Sequence, residues 1–152
     1  MNPLEDGTKH LNVTYQAKTQ LGRMLSPPHK ASFELSGEGK FQSVGGYWCW
    51  LIREKDRFRN MSGEDVLVQR NLPGNLPDIK KKVSAQNFQE KILRATWHKI
   101  RQNQSIFWRF EQNILPFRRY YVAESFVYRP SDEEWFCDGL EVMSDYIDQN
   151  FW

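Results

Sequence analysis

Apolar residues recur at two different periods along the chain, and each change of period marks an element. "HLNVTYQA" (residues 10–17) alternates roughly apolar with polar, which predicts a short strand. "TQLGRMLSPPHKASFEL" (19–35) keeps no period. Gly22 punctuates it and Pro27-Pro28 offer no backbone donors, so an ordered loop is expected. "SGEGKF" predicts a turn into a second extended piece near Phe41. From Tyr47 the spacing becomes helical. Tyr47, Trp48, Leu51, Ile52 and Phe58 mark one face of a helix that begins at the pair Gly45-Gly46. "NLPGNLPDIKKK" (71–82) is a connecting loop.

Helical spacing returns with two stripes, Phe88, Ile92, Thr96 and Ile100, then Ile106, Phe107, Phe110 and Ile114, separated by a polar turn at "RQNQS". Pro116 closes this region, "YYVAESFVY" (120–128) alternates as one strand, and "RPSDEE" leads into a last helix with Ser131 as cap and Glu134 beyond it. The order predicts a single mainly helical α+β domain over residues 1–152, with a few short strands and a flexible stretch at 1–9.

Composition sharpens this reading. The hydrophobic fraction is 39%, and aromatic residues make up 14% of the chain, so large rings supply much of the buried surface. A net charge of +2 gives no electrostatic case for nucleic acid. The run "IKKK" (79–82) reads as solvated, with attraction for a phosphate as its other reading. Cys49 and Cys137 sit beside aromatic residues and read as buried thiols, too few for a disulfide scaffold or a zinc site. The chain starts without a basic-then-apolar leader and has no apolar run of membrane-spanning length, so a cytoplasmic protein with no membrane partner is expected.

Candidate chemistry is sparse. The sequence has no phosphate loop, dinucleotide fingerprint or metal-ligand spacing, so neither a cofactor nor a metal is expected. His10, His29 and His98 read as surface or capping residues. The glycine pair has two readings. It turns the chain into a helix with Trp48 and Trp50 in the core, or it lets an anionic ligand approach bare N–H groups, with Arg23 beside it. Arg118-Arg119 before Tyr120-Tyr121 is either a phosphate-and-base platform, through Arg119 and Tyr121, or a polar strand edge. Among the acidic residues near 124–134, Glu124 is the one expected to be buried.

Taken in order, "TQLGRMLS", "GKFQSVGGYWCWLI", "WHKIRQN" and "LPFRRYYV…DEEWF" resemble the NADAR (YbiA-like) superfamily, closest to its small bacteriophage-type members, from about residue 12 to residue 136. The resemblance implies a mainly helical α+β fold and a role in NAD and ADP-ribose metabolism, including hydrolysis of N-glycosidic bonds that join ADP-ribose to bases. It places Arg23 and Ser26 in an early ligand loop and Ser43 to Trp50 in a second ligand segment, with Gly45, Gly46, Tyr47 and Trp48 within it. Trp97, Gln102 and Asn103 fall in a central helical motif, and Trp135 falls near a late acidic-tryptophan motif.

Two positions depart from the pattern. The family's glutamate falls on Gly45 and its asparagine on Pro27. Glycosidic cleavage needs a carboxylate to activate water or stabilise developing positive charge, and Gly45 supplies none. The implied function is therefore capture of an ADP-ribose-containing, NAD-derived nucleotide, counteracting a host antiviral defence by sequestration in the host cytoplasm. One alternative is an active ADP-ribosyl glycohydrolase that uses Glu124 or Asp132, with nucleic acid entering only as an ADP-ribosylated substrate. Another is a protein-binding module. The terminal Phe151-Trp152 leaves a homo-oligomer open.

Overall fold

The period changes translate into elements that are shorter and more numerous than the sequence pattern suggests. In the computed structural model, which describes residues 1–71 and 85–150, the helices are α1 (Gln20–Leu25), α2 (Val44–Arg53), α3 (Glu64–Asn71), α4 (Gln86–Gln102), α5 (Gln104–Gln112) and α6 (Glu133–Asn150). The strands are β1 (Leu11–Asn12), β2 (Phe33–Leu35), β3 (Gly39–Phe41), β4 (Phe117–Arg118), β5 (Tyr121–Ala123) and β6 (Phe126–Tyr128). Helix makes up 55% of the structure, giving the α+β composition expected. No helix among the described residues is long and apolar enough to cross a membrane. The chain divides into two units by its internal contacts, Pro27–Asn103 and Met1–Ser26 with Gln104–Trp152. The connecting loop expected at 71–82, its IKKK run and the terminal Phe151-Trp152 lie mostly or wholly outside the described residues.

In the unit Pro27–Asn103, β2 and β3 form an antiparallel hairpin with Phe33 opposite Phe41 and Leu35 opposite Gly39. Phe33, Leu35 and Phe41 are buried while Glu34 and Lys40 face solvent opposite each other, the period-two pattern of a half-buried ribbon. Phe41 is the hub of the aromatic core. Its ring meets Tyr47 edge-on at 4.9 Å and Trp50 at 5.5 Å between centroids. Trp48 points the other way, edge-on to Phe88 of α4 at 5.3 Å. The stripe Phe88, Ile92, Thr96 and Ile100 is buried as its spacing predicts, and Asn103 breaks the helix where the polar turn was expected. Gln102 ties the end of α4 to β2, donating from Nε2 to the Glu34 carbonyl at 2.9 Å and accepting the Glu34 N–H at 2.7 Å.

α2 ends at Arg53 because Glu54 takes a left-handed conformation (φ 55°, ψ 40°) and its N–H returns to the Trp50 carbonyl at 2.7 Å. Phe58, expected on the same helix, therefore lies on a separate 3₁₀ turn, Asp56–Asn60.

In the other unit, the alternation at 10–17 yields only the two residues of β1. They run parallel to β4, with Leu11 against Phe117 and Asn12 against Arg118. The segment expected as loop at 19–35 contains α1, capped by the Thr19 hydroxyl accepting the Gly22 N–H at 3.0 Å, and then β2. In the second stripe Ile106 and Phe110 are buried, but α5 stops at Gln112 and Ile114 is 94% exposed. The last helix starts at Glu133, one residue later than a Ser131 cap requires. The opening residues, expected flexible, form a 3₁₀ turn at Pro3–Glu5. The buried Asp6 that follows accepts the Asn12 N–H at 2.9 Å and the Lys18 N–H at 3.0 Å.

Candidate functional site

The glycine pair, open to two readings in the sequence, has its backbone donors satisfied within the unit. The Gly45 N–H donates to the Pro27 carbonyl at 2.7 Å and the Gly46 N–H to Ser43 Oγ at 2.9 Å. A Cβ on Gly45 would overlap Val66 Cγ1 and stand 3.2 Å from the Pro27 carbonyl oxygen. A Cβ on Gly46 would overlap the Phe58 carbonyl oxygen and stand 3.0 Å from that of Met61. The missing side chains make room for other parts of the protein, so of the two readings of the pair the packed one fits these contacts. The pair lies in the first turn of α2, at the helix start that the sequence places there.

The neighbouring candidates are used in the same way. Ser43 is fully buried and also donates to the Met61 carbonyl at 2.7 Å. Tyr47 is fully buried, and its hydroxyl donates to Glu38 at 2.7 Å. Burial first, and then this bond, push its pKa well above the usual phenol range. Trp48 is a core residue. Trp97 is half-buried with the Arg101 guanidinium 5.7 Å from its ring, and Asn103 Nδ2 holds the Ser32 and Lys99 carbonyls at 3.0 and 2.8 Å. Lys99 is completely buried, which draws its pKa down to about 7.

In the unit Met1–Ser26 with Gln104–Trp152, Arg23 is exposed and folds its Nη1 back onto the Ala17 and Lys18 carbonyls at 2.8 and 3.0 Å. Ser26 is fully buried, its hydroxyl on the Arg23 carbonyl at 2.6 Å. Arg119, read as part of either a binding platform or a polar strand edge, is 1% exposed. It donates to Asp132 at 3.0 Å, to the Val13 carbonyl at 2.7 Å and to the Tyr121 hydroxyl at 3.2 Å. Burial opposes its charge, and Asp132 and Tyr121 more than offset that, so its pKa stands above the ordinary value. Asp132 is therefore a structural partner of Arg119. Glu124, expected to be buried on a strand, is exposed on a turn with φ 53°. Trp135 is half-buried, edge-on to Phe136 at 5.8 Å.

Two features of this unit escaped the sequence pattern. The first is a buried polar web. His10, expected at the surface, meets the Tyr120 hydroxyl at 2.6 Å, and Asn12 bridges to Tyr120 by accepting its N–H at 3.0 Å and donating to its carbonyl at 3.1 Å. Burial lowers the His10 pKa and lifts that of Tyr120 to about 12. Burial also lifts the Cys137 thiol to about 12, so it behaves as an inert apolar group. A groove of about 590 Å³ in the same unit is lined by Glu111, Glu141, Asp145 and Asp148 around Ile114 and Pro116, a charge that repels a diphosphate. Among the described residues no group of three or more His, Cys, Asp or Glu side chains is placed to hold a metal ion.

The second feature is the hairpin β5–β6. The nine residues expected as one strand fold back at Glu124-Ser125, with Tyr121 opposite Tyr128, Val122 opposite Val127 and Ala123 opposite Phe126. Every strand residue is apolar or aromatic, yet Val122, Phe126 and Tyr128 are 56%, 61% and 54% exposed. Tyr121, Ala123, Phe126 and Tyr128 share one face, where the two tyrosine rings stack at 6.5 Å, and the valines share the other. The hairpin forms a two-stranded sheet that no third strand joins among the described residues. The signal for it was the polar pair Glu124-Ser125 in the middle of an apolar run, the length of a two-residue turn.

No family model, curated protein or solved structure matches the chain.

Proposed function

We propose that this protein is a protein-binding module that docks through the β5–β6 hairpin. One observation carries the reading: a two-stranded ribbon made wholly of apolar and aromatic residues stands more than half exposed at three of its six positions. Such a ribbon gains little from folding alone in water, and clustered exposed apolar surface is the common mark of an interaction site. Tyrosines and a phenylalanine are also the residues that contribute most to binding when a partner covers them.

Capture of an ADP-ribose nucleotide, which the NADAR resemblance implied, has less support. The donors it would use at Gly45 and Gly46 are bonded to Pro27 and Ser43, and Ser43 and Tyr47 are enclosed. Hydrolysis has less still, because Glu124 lies open to water and Asp132 is bonded to Arg119.

Photo-crosslinking tests the docking proposal. A p-benzoylphenylalanine at position 126 is expected to give discrete adducts in cells, while the same group at exposed Lys91 on α4 gives none. Equal labelling from both positions, or none from 126, contradicts it.

A further inference from the structure

We propose that one occupant of this surface is a second copy of the same chain, joined along the outer edge of β6 with the two strands antiparallel about Val127. The proposal rests on the reading of the hairpin as a docking surface and names the partner. In a hairpin closed by two residues the pair beside the turn, Ala123 and Phe126, exchanges the hydrogen bonds, so the next pair, Val122 and Val127, directs N–H and C=O outward. Val127 therefore offers a donor and an acceptor on an open edge, a template for another strand. Within Phe126-Val127-Tyr128 no lysine or proline blocks the edge, and Arg129-Pro130 lie just beyond it.

The pairing of side chains selects the copy. Antiparallel pairing about Val127 sets Val127 against the partner's Val127 and Phe126 against the partner's Tyr128, an aromatic pair on each side. It also sets Ser125 against the partner's Arg129, which brings Glu124 beside that arginine, once in each direction. Glu124 and Arg129 are exposed and make no ion pair among the described residues, so the dimer supplies each with its countercharge. The β5 edge fits less well. The same operation about Val122 would set Glu124 against Tyr120, which is 1% exposed and has its carbonyl and N–H bonded to Asn12. Joined through β6, the two hairpins form a four-stranded sheet, long enough to be stable where a lone ribbon is marginal.

Sedimentation equilibrium of the full chain from micromolar to millimolar concentration tests this. The wild type is expected to be a dimer whose dissociation constant rises at least tenfold in Val127→Pro, since proline removes the outward N–H but no hydrogen bond within the hairpin. Charge reversal gives an independent measure should that variant fold poorly. Glu124→Arg and Arg129→Glu each weaken the dimer, and the double reversal restores it. A monomer throughout, a dimer indifferent to both sets of variants, or no rescue in the double reversal overturns self-pairing. If adducts from position 126 to other proteins persist in a monomeric protein, self-pairing falls while the docking surface stands; if a monomer gives no adducts, both fall.

Discussion

Replacing Gly46 by alanine separates a packed glycine from an open one by the sign of the stability change. In an ordinary helix interior Gly→Ala stabilises by roughly 0.5–1 kcal/mol, because glycine loses more backbone freedom on folding. At Gly46 the new methyl would overlap the Phe58 carbonyl oxygen and lie 3.0 Å from the Met61 carbonyl oxygen and 3.3 Å from Ser43 Oγ. None of these is the loose end of a long side chain. Phe58 is fixed within a 3₁₀ turn, with its carbonyl taken by the Met61 N–H at 3.2 Å, and the Ser43 hydroxyl is held by Met61 and Gly46. The backbone must shift, and overpacking of this kind costs about 1–3 kcal/mol, which outweighs the helix-propensity gain. Urea unfolding followed by tryptophan fluorescence should show a lower midpoint with an unchanged slope. A midpoint equal to or above that of wild type would mean open space at Gly46 and would refute the packing explanation. Gly45→Glu, which restores the residue expected from the NADAR pattern, should destabilise further, since the whole chain beyond Cβ starts inside Val66.

Three other outcomes follow from the buried charges and one helix end. Lys99→Met removes a lysine whose pKa is about 7 when folded against 10.5 in the reference state. The unfolded chain binds the extra proton between those values, so the lysine's contribution is complete above about pH 10.5 and is lost as pH falls towards 7. The stability of wild type minus variant should therefore rise by a few kcal/mol across that window, at ~1.4 kcal/mol for each pH unit, and a flat difference refutes the assignment. Asp132→Ala strands a buried guanidinium and should cost about 3–5 kcal/mol in denaturant titration, with the double change to Arg119→Met and Asp132→Leu costing clearly less. Equal costs would show that the pair is not coupled. Glu54→Gly relieves a left-handed residue at the end of α2 and should raise stability by up to ~1 kcal/mol, measured by thermal melting; no gain would place the strain elsewhere.

How much of this was legible from the residues depends on the range of the force involved. The buried stripe of α4, the turn at Asn103 and the buried thiols follow from spacing and composition, because each depends on neighbours within one helix or on apolar character alone. The end of α2 is not legible from spacing, since one left-handed residue, Glu54, outweighs a helical period that continues to Phe58. α1 was missed because a six-residue helix has too few turns for a period, although Thr19 was a readable cap. The glycine pair was ambiguous in principle. Bare backbone admits a ligand or a neighbouring carbonyl equally well, and only tertiary contact with Val66, Phe58 and Met61 decides between them. Arg119 and His10 carried polar signals that pointed outward, whereas Asp132 and Tyr120, distant in sequence, draw them inside.

The residues that the NADAR resemblance would give to a nucleotide are bonded within the fold, and on the proposed reading partners meet the hairpin instead. Titrating ADP-ribose to millimolar concentration while following backbone amide resonances tests this directly. The amides of Gly45, Gly46 and Tyr47 are expected to stay where they are, and a saturable shift at these three would contradict that reading.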